Sequence, residues 1–382
     1  MSTRATSLAV VILLVCGVSQ TPLAQKPPDK QAEKQKKTLL KMAQPWPEPA
    51  VLQARRDEAQ KLPLFAESDP LAFSLTADFK AIDKDRNPES TAKYPGVLAT
   101  TDARGREQTL HVQLSPRGHF RRNARTCAFV PLRIEFDKKE VAGTVFDGQS
   151  TLKLGVHCQN EKAYDQFVLR EYLTYKLFNL VTPQSFRDRL AQATYVDAKS
   201  GKPMTTHYAI FIEEDNDVAR RMGGRIVELP RLQFADVDAG TLRTAALFEY
   251  MIGNTDYSLY ALHNVKVVQD PTKTLFAVPY DFDLSGFVNP PYALVDRRLG
   301  ITSVKDRLYR GPCGSADEFE AIAAKFRDKK ADMLALVEGM KDLDGSTKSE
   351  SKDYLEAFFR GIAQPTSVKK SLADGCKAKP TM

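Results

Sequence analysis

The sequence predicts an α+β fold in which a strand-rich first half precedes a mainly helical second half. In the first half, short runs alternate apolar and polar residues, as in LAFSLTADF at 71–79, and this alternation is typical of half-buried strands. From about residue 238 onward, apolar residues recur at helical spacing instead, for example in the stretch that follows Ser315. The 382 residues, of which 42% are hydrophobic, are enough for one large domain or two modest ones.

The N-terminal segment 1–24 has the features of a secretory signal. Arg4 supplies a positive charge, and the apolar run 8–18 that follows is too short to span a bilayer. Cys16 would suit a lipoprotein, but Val15 is larger than the residue usually found before a lipidated cysteine, which favours ordinary cleavage. Nothing later in the chain is apolar enough for a membrane span. We therefore expect an exported bacterial protein, periplasmic or extracellular, without a transmembrane span in its mature form.

Export changes the interpretation of the cysteines. Once Cys16 is removed, four remain, and an oxidising compartment favours two disulfides with three possible connectivities. We favour Cys127–Cys158 and Cys313–Cys376, because each pair flanks a plausible structural unit.

Composition also divides the chain into segments. Residues 25–60 are polar, charged and proline-bearing, and we expect them to form a tether with at most one short helix. A strand-rich part is expected at 61–235 and a helical part at 236–376, with a loose tail at 377–382.

The strand-rich part contains a basic loop, Arg117–Arg125, between the predicted strands 108–115 and 130–136. Arginine forks and backbone N–H groups in such a loop could cover an anionic group. A solvated hairpin tip would account for the same arginines. Further strands are predicted at 94–101, 150–158, 189–197 and 207–214.

A helix is predicted at 163–181, and its Glu171 lies away from the apolar stripe that should face the core. An ion pair with a neighbouring basic residue of the same helix would be an ordinary surface role. A functional role would be to pair with a basic residue on an adjacent strand, and Lys153 and Arg133 are the two possibilities.

Two loops in the second half carry carboxylate and amide oxygens. The first, GNTDYSLYALHN, presents Asp256 and Asn264, and the second follows a predicted strand pair and contains Asp281 and Asp283. Hard cations such as Mg²⁺ prefer a small set of oxygen ligands with positions left for substrate phosphates. For any one of these residues a turn-forming role is common, so it is the set that favours a site.

The order of these motifs resembles the CotH-type spore-coat kinase family, a divergent branch of the protein-kinase-like fold. The resemblance covers roughly 105–310 and includes the Arg117-Gly118 loop, LREYLTYKL, YAIFIEE, GNTDYSLYALHN and PYDFDLSG. It implies a kinase-like two-lobed fold with a strand-rich N-terminal lobe and a mainly helical C-terminal lobe.

The resemblance also implies roles for individual residues, with Mg²⁺ or Mn²⁺ and ATP as cofactors. Asp256 would be catalytic; Lys153, Glu171, Arg117 and Arg133 would bind the nucleotide; and Asp281, Asn264 and Asp283 would hold the metal. The chain departs from the usual pattern because seven residues, rather than four, separate Asp256 from Asn264. An aspartate, Asp283, also stands where the glycine after the metal aspartate is usual.

The function implied is that of an exported kinase-like protein that transfers a phosphoryl group to a hydroxyl of a protein or cell-envelope component. One alternative is a nucleotide- or glycan-binding pseudokinase, an envelope interaction protein without catalysis. Another is a metal-dependent hydrolase, which usually recruits histidine ligands, whereas the chain has only five histidines. We expect no nucleic-acid partner, because the net charge of +7 is spread along the chain and no recognition motif is present.

Overall fold

The computed structural model of the protein describes residues 30–102, 105–374 and 376. The predicted signal segment 1–24 with its Cys16, the first tether residues 25–29 and the predicted tail 377–382 lie outside the described residues. Within the described ranges, no helix combines the length and the apolar character needed to cross a membrane.

The N-terminal segment predicted as a tether contains two helices, α1 (Lys30–Ala43) and α2 (Pro49–Gln60). Arg225 donates hydrogen bonds to the carbonyl of Met42, at 2.7 Å, near the end of α1, and its guanidinium lies 4.1 Å from the ring centroid of Trp46. Arg187 similarly donates to the last carbonyls of α2. Arg225 and Arg187 thus donate hydrogen bonds to carbonyl groups at the C-terminal ends of α1 and α2. Composition alone does not reveal these contacts.

Strands of the first half close into a barrel. They are β1 (Leu71–Ala77), β2 (Tyr94–Thr101), β3 (Glu107–Pro116), β4 (Leu132–Phe136), β5 (Thr151–Gly155), β6 (Asp188–Asp197) and β7 (Pro203–Ile212), with the short helices α3 (Phe79–Lys84) and α4 (Lys138–Val141) between them. The order around the barrel is β1-β2-β3-β4-β5-β7-β6, and the neighbours are antiparallel except for β1 and β6. Each barrel strand lies within, or overlaps, a stretch in which alternation predicts a strand. The alternation arises because inward residues such as Leu75, Leu114 and Leu154 fill the closed core.

The expectation of a kinase-like two-lobed fold is wrong. The chain forms a closed mixed barrel, a separate three-stranded sheet and packed helices instead of an open strand-rich lobe beside a helical one. The physical reason is the parallel pairing of β1 with β6, which runs from Leu71↔Ala191 to Ala77↔Asp197 and removes the free sheet edges. Local alternation identifies strands but does not say which distant strand each one will pair with.

Helix α5 (Asp165–Val181) lies outside the barrel and packs against β6 and β7. It is apolar over most of its circumference, because its other side faces a second core built with the later helices. Those helices are α6 (Asp215–Arg221), α7 (Ala239–Ile252), α8 (Ala316–Asp328), α9 (Lys330–Gly339), α10 (Gly345–Gly361) and α11 (Pro365–Val368). Phe178 stacks on Phe248 within this core at a centroid distance of 4.3 Å.

The three-stranded sheet consists of β8 (Arg225–Val227), β9 (Val265–Gln269) and β10 (Leu275–Pro279), in the order β10-β9-β8. The pair β9–β10 was predicted, whereas β8 is too short to give a periodic signal. Antiparallel pairing places Val265 opposite Pro279, and the Tyr280 N–H donates to the Asn264 carbonyl at 3.0 Å. The sheet therefore brings the two predicted oxygen-bearing loops to the same end.

Both predicted disulfides are confirmed. Cys127 is bonded to Cys158 and Cys313 to Cys376, which closes loops with sequence separations of 31 and 63 residues. The second bond ties the C-terminal end of the described chain to the segment just before α8.

We expect the double substitution Cys313→Ser with Cys376→Ser to lower the free energy of unfolding by about 4 kcal/mol, the loop-closure entropy that such a crosslink removes from the unfolded chain. Urea denaturation of the parent and the variant measures the difference. The same pair of measurements in dithiothreitol is the control, since reduction should bring the two proteins close together. Equal stability under oxidising conditions would contradict the prediction.

Candidate functional site

A cavity of about 580 Å³ lies where the barrel, the small sheet and several loops meet. Barrel strands supply one wall, the end of the small sheet supplies another, and the loop after β3 lies across them. The lining includes every site residue proposed from the sequence, namely Arg117, Arg133, Lys153, Glu171, Asp256, Asn264, Asp281 and Asp283. Residues spread over more than 160 positions of the chain thus share one concave surface, which is the usual form of a small-molecule site.

Three carboxylates form the acidic part of the cavity. Glu171 projects from α5, and Asp281 and Asp283 follow β10. Burial raises the pKa of Glu171 well above its usual range, and the charges of Asp283 and Asp281 raise it further. Burial and then the charge of Asp281 likewise raise the pKa of Asp283. Burial and mutual repulsion therefore oppose full ionisation of the cluster, although Arg121 and Arg117 favour it, and a bound cation would favour the ionised forms further.

The backbone of Asp281 is held in an unusual conformation. Its φ is 67°, in the left-handed region that is uncommon for residues other than glycine, asparagine and aspartate. Its N–H donates to the hydroxyl of Tyr175 at 3.0 Å, and Tyr175 lies one turn after Glu171 on α5. Phe282 is fully buried against Tyr175, and both flanking aspartates line the cavity. The hydrogen bond from the Asp281 N–H and the burial of Phe282 therefore fix the backbone that carries the two carboxylates.

The basic loop after β3 folds onto this acidic cluster. Arg117 forms an ion pair with Asp281 at 3.9 Å, and Arg121 forms one with Asp283 at 3.6 Å. Arg121 is largely buried, donates to the Val156 carbonyl and lies over the ring of Tyr292. The loop is thus a structured cover for the cavity and not a solvated hairpin tip.

The Asp256 carboxylate is held from two directions. The Nδ2 group of Asn264 donates to it at 3.1 Å and to the Asp256 carbonyl at 2.7 Å, and Nε2 of His263 lies 3.1 Å from it. The hydrogen bond to Asp256 is the main reason why the pKa of His263 is raised. Asn254 accepts from the Asp256 N–H at 2.9 Å, and Arg310 donates to the carbonyls on either side of this residue. Asp256 is therefore a half-exposed, oriented carboxylate at the cavity surface.

Neither basic residue proposed as a partner for Glu171 pairs with it. Lys153 instead forms an ion pair with Asp215, the first residue of α6, whose other carboxylate oxygen accepts from Lys266 at 2.9 Å. Burial lowers the pKa of Lys153 to about 8. Arg133 is the direct cross-strand neighbour of Lys153 and forms no ion pair among the described residues. The cavity thus has a cationic part that is distinct from its acidic cluster.

The side chains of the cavity suit some metal ions better than others. Among the described residues, no three His, Cys, Asp or Glu side chains are grouped so that they could hold a metal ion by themselves. A magnesium-type ion that keeps waters and substrate phosphates uses only one or two carboxylates, so Asp281 and Asp283 fit such an ion. Asn264 is compatible with such an ion, because its amide nitrogen donates to Asp256 and a metal would bind its amide oxygen.

Sequence reasoning missed three contributors to the cavity. Arg121 was noted only as a member of the basic loop, while Lys266 and Asp215 were given no role in the site. Two of the three carried a signal. Lys266 interrupts the apolar strand VKVV, and Asp215 ends the acidic exit of β7. Their meeting is visible only in three dimensions.

No protein-family model matches the chain, and no curated protein is significantly similar to it in sequence. Membership of the CotH-type family therefore stays a prediction, and the functional argument depends on the geometry of the cavity.

Proposed function

We propose that this protein is an exported phosphotransferase that moves a phosphoryl group from a nucleotide such as ATP to a hydroxyl group of a protein or cell-envelope acceptor. One observation carries the proposal. A single large cavity combines an oriented carboxylate, Asp256, with an acidic cluster and a separate cationic part. Phosphoryl transfer depends mainly on positioning and charge neutralisation, and this cavity offers groups for both.

Residues of the chain would accept the proton of the acceptor hydroxyl and balance the negative charge of the phosphates. Asp256, oriented by Asn264, would accept the proton of the acceptor hydroxyl as its oxygen forms the new bond to the terminal phosphorus. The bond between that phosphorus and the leaving diphosphate oxygen breaks, and its electron pair departs with the diphosphate. Lys153, Lys266 and Arg133 would balance the negative charge of the phosphate chain.

Asp281 and Asp283 would hold Mg²⁺ or Mn²⁺, which when bound neutralises charge on the phosphate oxygens. The burial and mutual repulsion of the carboxylates in the acidic cluster support this assignment. Binding would compete with Arg117 and Arg121, because these two arginines pair with the same carboxylates. The two disulfides support an oxidising compartment for the mature protein.

A second function has one observation in its favour. The loop between Asp256 and Asn264 has seven residues, which is longer than in usual kinases. This spacing favours a nucleotide-binding pseudokinase that does not transfer phosphate.

The substitution Asp256→Asn separates the two functions. We expect it to leave ATP binding nearly unchanged and to lower the rate of transfer to an acceptor by about 10²- to 10⁴-fold, the usual contribution of a general base. The measurement is incorporation of labelled γ-phosphate into envelope and protein fractions with Mg²⁺ or Mn²⁺ present, together with a binding titration. Asp353→Asn, an exposed aspartate on α10, is the matched control.

Binding without transfer by the parent protein would favour the pseudokinase. Release of phosphate to water would favour the hydrolase. The transferase proposal does not survive if the parent protein fails to bind ATP with either metal.

A further inference from the structure

Two lysines in the cavity share one carboxylate. Lys153 on β5 donates to one oxygen of Asp215, and Lys266 on β9 donates to the other at 2.9 Å. Both ammonium groups also lie over the ring of Tyr280, at 5.0 and 5.4 Å from its centroid. The barrel, the small sheet and α6 each supply one charged member, so the arrangement is tertiary and is set by the whole fold.

The charges of this group do not balance. Two ammonium groups face one carboxylate, and Arg133 stands directly opposite Lys153 on the adjacent strand. Glu228 adds a weaker negative influence on Lys266, which still leaves three cationic groups against two carboxylates. The side chains of Lys153, Lys266 and Asp215 are 9%, 25% and 19% exposed, so water screens them only in part. Burial opposes ionisation of Asp215, but the two ammonium groups still hold its pKa below the usual range. A partly buried excess of positive charge that opens into a cavity is suited to an anion.

We propose that Lys153 and Lys266 form a two-ammonium clamp that binds the phosphate chain of a di- or triphosphate directly, and that Asp215 is the positioning residue that holds both lysines. This inference rests on the proposed function, since it names the part of the cavity that recognises the donor. It departs from the sequence hypothesis in two respects. The partner of Lys153 is Asp215 and not Glu171, and a second lysine, Lys266, shares the task.

The presence of two ammonium groups explains why a chain of phosphates is the expected ligand. A ligand with two or more phosphoryl groups can place one on each ammonium group of Lys153 and Lys266. Carboxylates such as Asp283 line the same cavity and repel a bare phosphate, so the ligand must gain enough from the lysines to offset that repulsion. A single phosphate carries less charge for the two lysines to share, and we expect it to bind more weakly.

The test measures binding of inorganic pyrophosphate, ADP, AMP and inorganic phosphate to the full mature chain in EDTA, so that no metal contributes. We expect pyrophosphate and ADP to bind more tightly than AMP or inorganic phosphate. Lys266→Gln should weaken pyrophosphate binding roughly ten- to hundredfold, the effect of losing a hydrogen bond to a charged group. Lys139→Gln, an exposed lysine of α4, is the control and should have no effect.

The Asp215→Asn variant tests whether Asp215 positions the two lysines or only neutralises part of their charge. If Asp215 only reduced the positive charge, its neutralisation would tighten pyrophosphate binding. If it positions the lysines, binding should weaken by a similar ten- to hundredfold although the net charge of the cavity rises. Unchanged or tighter binding in Asp215→Asn would overturn the positioning role. Lys266→Arg provides a variant that keeps the charge if Lys266→Gln is poorly folded, and it should retain most of the binding.

The outcomes for the clamp and for the transferase are separable. If the parent protein fails to bind pyrophosphate in EDTA, the clamp is overturned, even if ATP is turned over with Mn²⁺. If pyrophosphate binds through Lys266 but no transfer occurs with any metal, the clamp stands and the proposed transferase activity fails.

Discussion

Asp281→Asn is expected to abolish the metal-dependent part of nucleotide stabilisation. In the parent protein, ATP with Mn²⁺ at a hundredfold excess over the dissociation constant should raise the free energy of unfolding by about 2.7 kcal/mol. The variant should lose most of this gain, because one of the two carboxylates proposed to hold the metal is gone. Asparagine is the informative replacement, because it tolerates the left-handed backbone that Asp281 adopts, so the loop keeps its shape.

The same substitution should not destabilise the unliganded protein. The charge of Asp281 raises the pKa of both Glu171 and Asp283, so removing it relieves repulsion in the cluster. The ion pair of Asp281 with Arg117 is lost as well, but at 3.9 Å and with a partly exposed carboxylate it contributes little. We therefore expect the melting temperature without ligand to stay equal or to rise, while the shift on adding ATP and Mn²⁺ disappears. Asp353→Asn is again the matched control. A full ligand-induced shift in Asp281→Asn would exclude Asp281 as a metal ligand.

The second large effect concerns acid stability and a buried pair of histidines outside the cavity. His157 and His207 stack at a centroid distance of 3.8 Å, and both are inaccessible to solvent or nearly so. Nδ1 of His207 lies 2.7 Å from Asp165, whereas the buried ring of His157 has Asn160 as a weak hydrogen-bonding neighbour. Burial, with smaller contributions from the neighbouring His207 and from the charge of Arg121, lowers the pKa of His157 to about 3.

Because folding lowers the pKa of His157, acid should destabilise the folded protein. An unfolded chain binds a proton at this histidine below about pH 6.5, whereas the folded chain does so only near pH 3. The stabilisation from a neutral His157 is therefore complete above pH 6.5 and is lost as the pH falls toward 3. The loss should amount to about 1.4 kcal/mol per pH unit within that window.

A difference measurement isolates this contribution from the buried carboxylates, which titrate in the opposite sense. Relative to His157→Leu, the parent protein should lose about 2–3 kcal/mol of unfolding free energy between pH 6.5 and 4.5. Urea denaturation at a series of pH values gives the two curves. His119→Leu, which changes an exposed histidine, should run parallel to the parent protein. Parallel curves for His157→Leu as well would show that this histidine does not control acid stability.

The local part of the fold could be predicted because it depends on local patterns. Alternation located strands such as β1 and β3, and helical periodicity located α5. The closed barrel was missed because closure depends on the parallel pairing of Leu71 with Ala191, which no local pattern encodes. Docking of the N-terminal helices was missed for a similar reason. It depends on Arg225 and Arg187, which lie far along the chain.

The members of the candidate site were easier to predict than their partners. Residue types that suit metal and phosphate chemistry, such as Asp256 and Asp281, drew attention by their placement at the ends of apolar elements. Their contacts could not be predicted, because an ion pair is decided by distances of a few ångström that the tertiary fold sets. Lys153 lies within reach of Asp215, which belongs to a different element from the one carrying the expected Glu171.

The parallel pairing of β1 with β6 also governs how the chain can assemble. Leu71 and Ala191 lie 120 positions apart, so one edge of β1 has no partner until β6 has been synthesised and has reached it. Long-range parallel pairing of this kind is slow, because the entropy of the intervening chain must be lost before any contact forms. During that interval the exposed edge of β1 can pair with another chain. Closure of the barrel seam would therefore be the step at which a folding chaperone has most to protect.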